Sequence, residues 1–310
     1  MKTHSCKTRH GARGFTLIEL MVAMGITAVI VTVLVSITSV ATDTWTRSRS
    51  EIRASRQAKV MLDTMARDLE SFVSRKGDNI EWLIAKMEAS DFPKVATDQE
   101  STGAAAKLIF MTAATDRYAG QIGDSLYDKG GDISCVGYTL KYKDPITGDE
   151  GDDNSTFVLY RNLVNPDETF QNLLGKEALD TAFSQYDTDS ELPENFICEN
   201  VHQFTLTFQI EVPRTQRNKT VNETVRVAMS SDQTSGEFSV MGTGLETTLN
   251  ARGITADELA AGRLSGVEIS ISVLTDGGLA KINAAERGLS EDEYAQNVYH
   301  YSRIVEVPGM

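Results

Sequence analysis

Phe15 to Ala41 is a run of 27 residues in which Glu19 is the only charge. At 1.5 Å per residue it predicts a helix of roughly 40 Å, enough to cross a hydrocarbon core of about 30 Å. From Asp43 onward the pattern turns polar without breaking. Charges enter at Arg47, Arg49, Glu51, Arg53, Arg56, Lys59, Asp63, Arg67 and Asp68, while apolar residues recur at Met61, Met65, Leu69 and Phe72, with Leu62 and Val73 beside them. Steps of four, four and three make one stripe of an amphipathic helix. No proline precedes Pro93 and no glycine lies between Gly25 and Gly77. The pattern therefore predicts one helix of about sixty residues, apolar first and amphipathic second, that stops at Gly77 behind Arg75 and Lys76.

Beyond residue 78 the period changes. Glu81-Trp82-Leu83-Ile84-Ala85-Lys86-Met87 reads as a short helix. Leu108–Met111, Cys135–Tyr142 and Phe157–Tyr160 then read as strands. Phe204 to Ile210 and Val267 to Val273 alternate apolar with polar, which means one face buried and one wet. Val225–Met229 and Phe238–Met241 are weaker strands, and Tyr301–Val307 is a last one. Thr255 with Glu258, and Ser290 with Glu293, form capping boxes that start two helices inserted between strands. The strict helix–strand alternation of a nucleotide-binding α/β fold is absent. The fold class predicted is α+β, a long N-terminal helix packed on an antiparallel β domain with helical insertions.

The net charge of −14 shifts to −18 if the basic leader ahead of Phe15, with Lys2, Lys7, Arg9 and Arg13 and no acid, is removed. Such an acidic surface disfavours nucleic acid as a partner. The leader's own charges hold it on the cytoplasmic side, so the remainder faces outward. Glu19 is costly where it stands, since a carboxylate at the bilayer centre is unfavourable by roughly 2.5–3.5 kcal/mol. A secretory signal peptide cut after Ser39-Val40-Ala41 accounts for neither the length of the apolar run nor Glu19. A plain single-span anchor leaves Gly14-Phe15-Thr16-Leu17-Ile18-Glu19 unexplained.

Arg13-Gly-Phe-Thr-Leu-Ile-Glu-Leu-Met-Val-Ala-Met24 resembles the cleavage and methylation signal of type IV prepilins and type II secretion pseudopilins. The resemblance implies a pilin-like fold, a cut by prepilin peptidase after Gly14, N-methylation of Phe15, and a role for Glu19 in subunit assembly by pairing with the new amine of a neighbouring subunit. It divides the chain into a leader (1–14), a transmembrane and assembly helix (15–41), its amphipathic continuation (42–76) and an exported, mainly antiparallel β domain (77–310). It implies an inner-membrane protein with a cytoplasmic N-terminus and a periplasmic or extracellular domain. Its partners would be other pilin or pseudopilin subunits and the inner-membrane assembly platform. Residues 56–70, Val136–Leu140 and Leu159–Arg161 are similar to J-type minor pseudopilins and W-type minor pilins, and the chain is also similar to prepilin-like cassette proteins of the Verru_Chthon cassette protein C type. One departure stands out: many pilins place a proline where this chain has Ser36.

Cys6 falls in the leader. Cys135 and Cys198 are candidates for a bridge in an exported domain, with two buried thiols on separate strands as the alternative. Asp149, Glu150, Asp152, Asp153 and Asn154 form an acidic loop that reads as a solvated turn rather than a Ca²⁺ site, because the spacing does not fit an EF-hand. His202 and His300 lack any catalytic motif around them, and no nucleophile elbow or phosphate loop appears. No enzyme, metal or cofactor is expected. The basic run from Arg47 to Arg67 is either a solvated face or a surface that meets acidic faces of adjacent subunits. A pilin-like tip that binds substrate is the alternative function, and requires an exposed apolar or aromatic patch within 80–310.

Overall fold

A computed structural model describes residues 16–89, 92–97, 104–113, 132–148, 154–216, 219–229, 235–251, 253–285 and 288–308. Helix α1 runs without a break from Leu17 to Glu70. The boundary between the two compact units of the chain falls within it, between Ser50 and Glu51.

Among the described residues, the second unit is built on two antiparallel sheets. One has seven strands: β1 (Glu81–Ala89), β2 (Ala104–Thr112), β3 (Ser134–Lys143), β4 (Thr156–Val164), β5 (Phe196–Glu199), β8 (Gly236–Met241) and β9 (Gly244–Thr247), in the order β5-β4-β3-β2-β1-β8-β9. The other has β6 (Val201–Gln216), β7 (Lys219–Ala228), β10 (Arg263–Leu274) and β11 (Val298–Glu306), in the order β11-β10-β6-β7. Phe208 of β6 and Phe238 of β8 stack at 3.9 Å between ring centroids and join the two sheets. The expected α+β architecture is thus the one observed.

The C-terminal part of α1 buries the stripe read from the sequence. Ala54, Ala58, Met61, Leu62, Met65, Ala66 and Leu69 are covered. They share one continuous core with Leu108, Phe110 and Tyr138 of the larger sheet and Phe204, Leu206 and Ile269 of the smaller.

Two expectations need correction. Glu81–Met87 is not a helix but most of β1, which lies between β2 and β8. Both its faces are buried, so its apolar residues run together instead of alternating, and periodicity alone does not separate such a strand from a buried helix. α1 also ends seven residues before Gly77. Phe72 bridges to Thr112, and the Val73 N–H donates to the Met111 carbonyl at 2.9 Å, so the chain is captured by the end of β2. Gly77 serves the crossing that follows, with φ of 137° and its N–H on the Gly242 carbonyl at 3.0 Å.

The segment between β4 and β5 gave no clear signal in the sequence. It folds into short helical turns, Pro166–Glu168, Thr169–Leu173 and Leu179–Phe183 among them. It lies on the face of the larger sheet where Gly137 stands opposite Asn162. The Phe183 ring sits so close that a Cβ on Gly137 would meet it at 2.5 Å. Around this contact, lysines of the sheet meet acids of the segment. Lys107 reaches Asp180 at 3.2 Å and Asp187 at 3.1 Å, and Lys143 reaches Glu191 at 2.7 Å. Burial alone would lower the Lys107 pKa; the two aspartates outweigh it and raise it. Both expected capping boxes are present, at Thr255 with Glu258 and at Ser290 with Glu293.

Candidate processing and assembly site

Gly14 and Phe15 lie outside the described residues. Glu19 is in the first turn of α1. Its Oε2 accepts from the Thr16 backbone N–H and from the Thr16 hydroxyl, both at 2.9 Å. Thr16 Oγ1 in turn accepts from the Glu19 N–H at 3.3 Å. Thr-x-x-Glu closed in this reciprocal way is a capping box, and it satisfies two of the donors that a helix start leaves open. The carboxylate also suits the positive end of the helix dipole. Glu19 therefore has a partner within its own chain. Thr16 is the residue that sequence reasoning passed over, although the same spacing was read as a cap at Thr255 and Ser290.

Every residue from Thr16 to Arg49 is exposed. Among the described residues, α1 is the helix long and apolar enough to cross a membrane. Four hydroxyls of its apolar part bond back to the helix itself. Thr27, Thr32, Ser36 and Thr38 donate to the carbonyls of Ala23, Ala28, Thr32 and Leu34 at 2.8, 2.8, 3.0 and 2.8 Å. A hydroxyl bonded back to its own helix carries little of the cost of an unpaired polar group in hydrocarbon. At Ser36, where a proline was the family expectation, the helix simply continues.

Within the second unit, a separate buried cluster fixes the end of α1 to the larger sheet. Asp68 is 3 % exposed. Its Oδ2 accepts from Arg161 Nε at 2.7 Å and Tyr138 Oη at 2.6 Å, and its Oδ1 from Arg161 Nη2 at 2.9 Å. Tyr138 and Arg161 face each other across β3 and β4. Thr112 of β2 adds a bond to the Asp68 carbonyl at 2.8 Å. An acid in the last turn of a helix opposes the dipole; the Arg161 fork compensates. Burial, and then the Asp68 charge, hold the Tyr138 hydroxyl pKa well above the usual tyrosine range. The three segments singled out by resemblance, 56–70, 136–140 and 159–161, thus contribute one residue each to a single buried cluster.

Other candidates fall away from the site. Cys135 and Cys198 are free, buried thiols, so the candidate bridge is not formed. Cys135 stands opposite Val164 and Cys198 opposite Leu159 on β4. Five residues of strand separate those positions by about 17 Å, far beyond the roughly 7 Å limit between bridged Cα atoms. His202 is buried between Phe157 and Tyr294, and burial, aided by His300, pushes its pKa down to about 3. It is a neutral core residue. His300 Nδ1 meets the Ser272 hydroxyl at 2.7 Å. Residues 149–153 of the acidic loop lie outside the described residues. Within the basic run, Arg53 is engaged with Glu199 at 2.6 Å and Asp276 at 2.8 Å.

The family described as the prokaryotic N-terminal methylation motif matches residues 9–35. The chain carries a type IV prepilin-like signal. That signal runs from the basic leader into the exposed apolar part of α1 and includes Gly14, Phe15, Thr16 and Glu19. It supports a processed, pilin- or pseudopilin-like protein, and a structural subunit rather than an enzyme. The apolar helix is consistent with a single-pass membrane anchor. No curated protein and no solved structure matches the chain.

Proposed function

We propose that this chain is a minor pilin or pseudopilin subunit. Prepilin peptidase cuts between Gly14 and Phe15, and the new Phe15 amine is methylated. Residues 15–41 hold the subunit in the inner membrane, residues 42–76 continue the helix, and residues 77–310 face the periplasm or the outside. With the assembly platform, the subunit then joins other pilin-like subunits in a type II secretion pseudopilus or a type IV pilus.

The observation that carries this reading is a coincidence of position. The prepilin-like signal leads directly into an apolar helix that its own chain leaves uncovered. Such a surface is stable only in lipid or among similar helices. Glu19, the acid of that segment, spends one oxygen on its own cap and keeps the second for a neighbour's amine.

The test is the mature N-terminus and the fate of a Glu19 variant. Mass spectrometry of the native product should show a chain starting at Phe15 with one added methyl group. Glu19→Ala should insert into the membrane and be cleaved, yet fail to enter fibres. A product starting at Met1 or Thr42 refutes the reading.

A binding tip is the second reading, and one observation favours it. A cleft of about 430 Å³ is lined by Trp82, Pro166, Thr169, Phe170 and Leu174, with Arg75 and Asp167 also on its wall. Phe170 is 73 % exposed, and a solvent-facing aromatic beside an apolar cleft fits ligand contact. Phe170→Ser that assembles normally but no longer holds exported substrate supports a tip; unchanged substrate binding refutes it.

A further inference from the structure

The apolar run of α1 ends at Ala41, and the chain stays helical beyond it. In an upright helix with 1.5 Å per residue, Trp45 lies roughly 6 Å past Ala41, Arg47 roughly 9 Å and Arg49 roughly 12 Å. The polar layer on each side of a hydrocarbon core is about 5–8 Å deep. With residues 15–41 as the span, Trp45 stands in that layer and the two arginines at its edge. Their stems are long enough to reach back into it. Trp45 and Arg49, four residues apart, share one helix face, and Arg47 lies on the other side.

All three side chains are open to a headgroup. Trp45 is 67 % exposed, and Arg47 and Arg49 are exposed as well. Among the described residues, neither guanidinium nor the Trp45 indole N–H has a hydrogen-bond or ion-pair partner. Asp43, one turn before Arg47, does not pair with it. The hydroxyls around them are committed to the helix: Thr42, Thr44 and Thr46 donate to the carbonyls of Thr38, Val40 and Asp43 at 2.9, 2.7 and 2.9 Å. The next arginine along the chain, Arg53, is held by Glu199 and Asp276. Residues 15–46 contain no lysine or arginine, so a chain cut before Phe15 has its first basic side chains at Arg47 and Arg49.

We propose that Trp45, Arg47 and Arg49 form a binding site for acidic phospholipid, in the leaflet where the span ends. An indole has an apolar body and one donor, which suits the boundary between acyl chains and headgroups. A guanidinium holds a phosphate with two parallel hydrogen bonds. Acidic lipid is favoured because its phosphate carries no ammonium group to compensate it. The membrane is the occupant because the site is continuous with the apolar run, which brings lipid phosphates to it. The contact fixes how deep the helix sits and resists its sliding along the bilayer normal. Removal of the leader takes away the four bases at the other end, and this flank then carries the basic grip on the membrane. The site rests on the reading of residues 15–41 as the span.

The experiment reconstitutes the full chain in vesicles of phosphatidylcholine and phosphatidylglycerol, with one of the two lipids brominated at a time, since bromine quenches indole on contact. The chain's other tryptophan is Trp82, 4 % exposed; its emission is measured in Trp45→Phe and subtracted. Brominated phosphatidylglycerol should quench Trp45 as though enriched about fivefold around it, the factor that about 1 kcal/mol at Arg49, on the same face, gives. Arg47→Gln/Arg49→Gln should remove the enrichment, and Arg47→Lys/Arg49→Lys should keep most of it. Inorganic phosphate added at equal ionic strength should change nothing; if it abolishes the preference, the site takes a free phosphate ion and the lipid is refuted. Equal quenching by both lipids, or a preference that survives Arg47→Gln/Arg49→Gln, also overturns the site. Flotation of the same vesicles separates this site from the span. A chain that does not float overturns the span, whereas a chain that floats with Trp45 quenched by aqueous iodide and not by lipid overturns this site alone.

Discussion

Arg161 of β4 grips Asp68 of α1 with two nitrogens on two oxygens, at 2.7 and 2.9 Å, inside the core. Removing one side of a buried ion pair leaves the other charge uncompensated and costs about 3–5 kcal/mol. Asp68→Ala should lower the denaturant midpoint of the mature chain in detergent by that equivalent. The double variant Asp68→Leu/Arg161→Met should lose clearly less than the sum of the singles. Additive losses would mean that the two residues act separately.

Gly137 has no room for a methyl group, because Phe183 lies over it. Gly137→Ala should cost about 1–3 kcal/mol by overpacking. Gly137→Ala/Phe183→Leu should regain part of that, since the smaller side chain clears the space. The check is equilibrium urea unfolding of the four combinations.

Glu81 gives a pH dependence of definite sign. Burial pushes its carboxyl up to about 7 from 4.5, against the Leu179 N–H at 2.6 Å that favours the ion. Between those values the folded chain keeps a proton that the unfolded chain has released. The contribution of Glu81 is complete below pH 4.5 and is lost as pH rises to 7, by about 3 kcal/mol in all. Glu81→Gln should therefore match the parent near pH 4 and exceed it by about 1–3 kcal/mol at pH 8. Thermal unfolding at the two pH values decides; an equal difference at both rejects the assignment.

Cys135 and Cys198 should be silent in the native chain. Burial pushes the Cys198 thiol up to about 12 and raises that of Cys135 as well. Alkylation should modify neither under native conditions and both on unfolding without reductant. A mass shift only after reduction would reveal a bridge.

Thr16→Val deletes the hydroxyl of the cap and keeps the size. The first turn of α1 should fray, at a cost of about 1 kcal/mol, seen as faster amide exchange at residues 17–20 with the rest of α1 unchanged. No change in exchange there would show that Thr16 does not hold the helix start.

The fold was largely legible because its signals are periodic. The buried side of α1, the strands around Phe204 and Val267, and both later caps follow from spacing alone. β1 was misread because a strand buried on both faces has no wet side to mark its period. The segment between β4 and β5 was missed because its helices are only three to five residues long, too short to show a face. In the site, the cap was written openly as Thr-x-x-Glu. Asp68 was hidden among the charges of the amphipathic helix: nothing local distinguishes an acid that faces Arg161 from one that faces water. Only the pairing of β3 with β4 brings its partners together from 70 and 93 residues away.

The Thr16–Glu19 cap has a bearing on maturation. A cut on the amino side of Phe15 falls outside the residues that close the helix start. The Thr16 amide, the Thr16 hydroxyl and the Glu19 carboxylate all survive it. On the processing proposed above, proteolysis would free a charged terminus without unwinding the rod behind it, and the helix start would be the same before and after the cut.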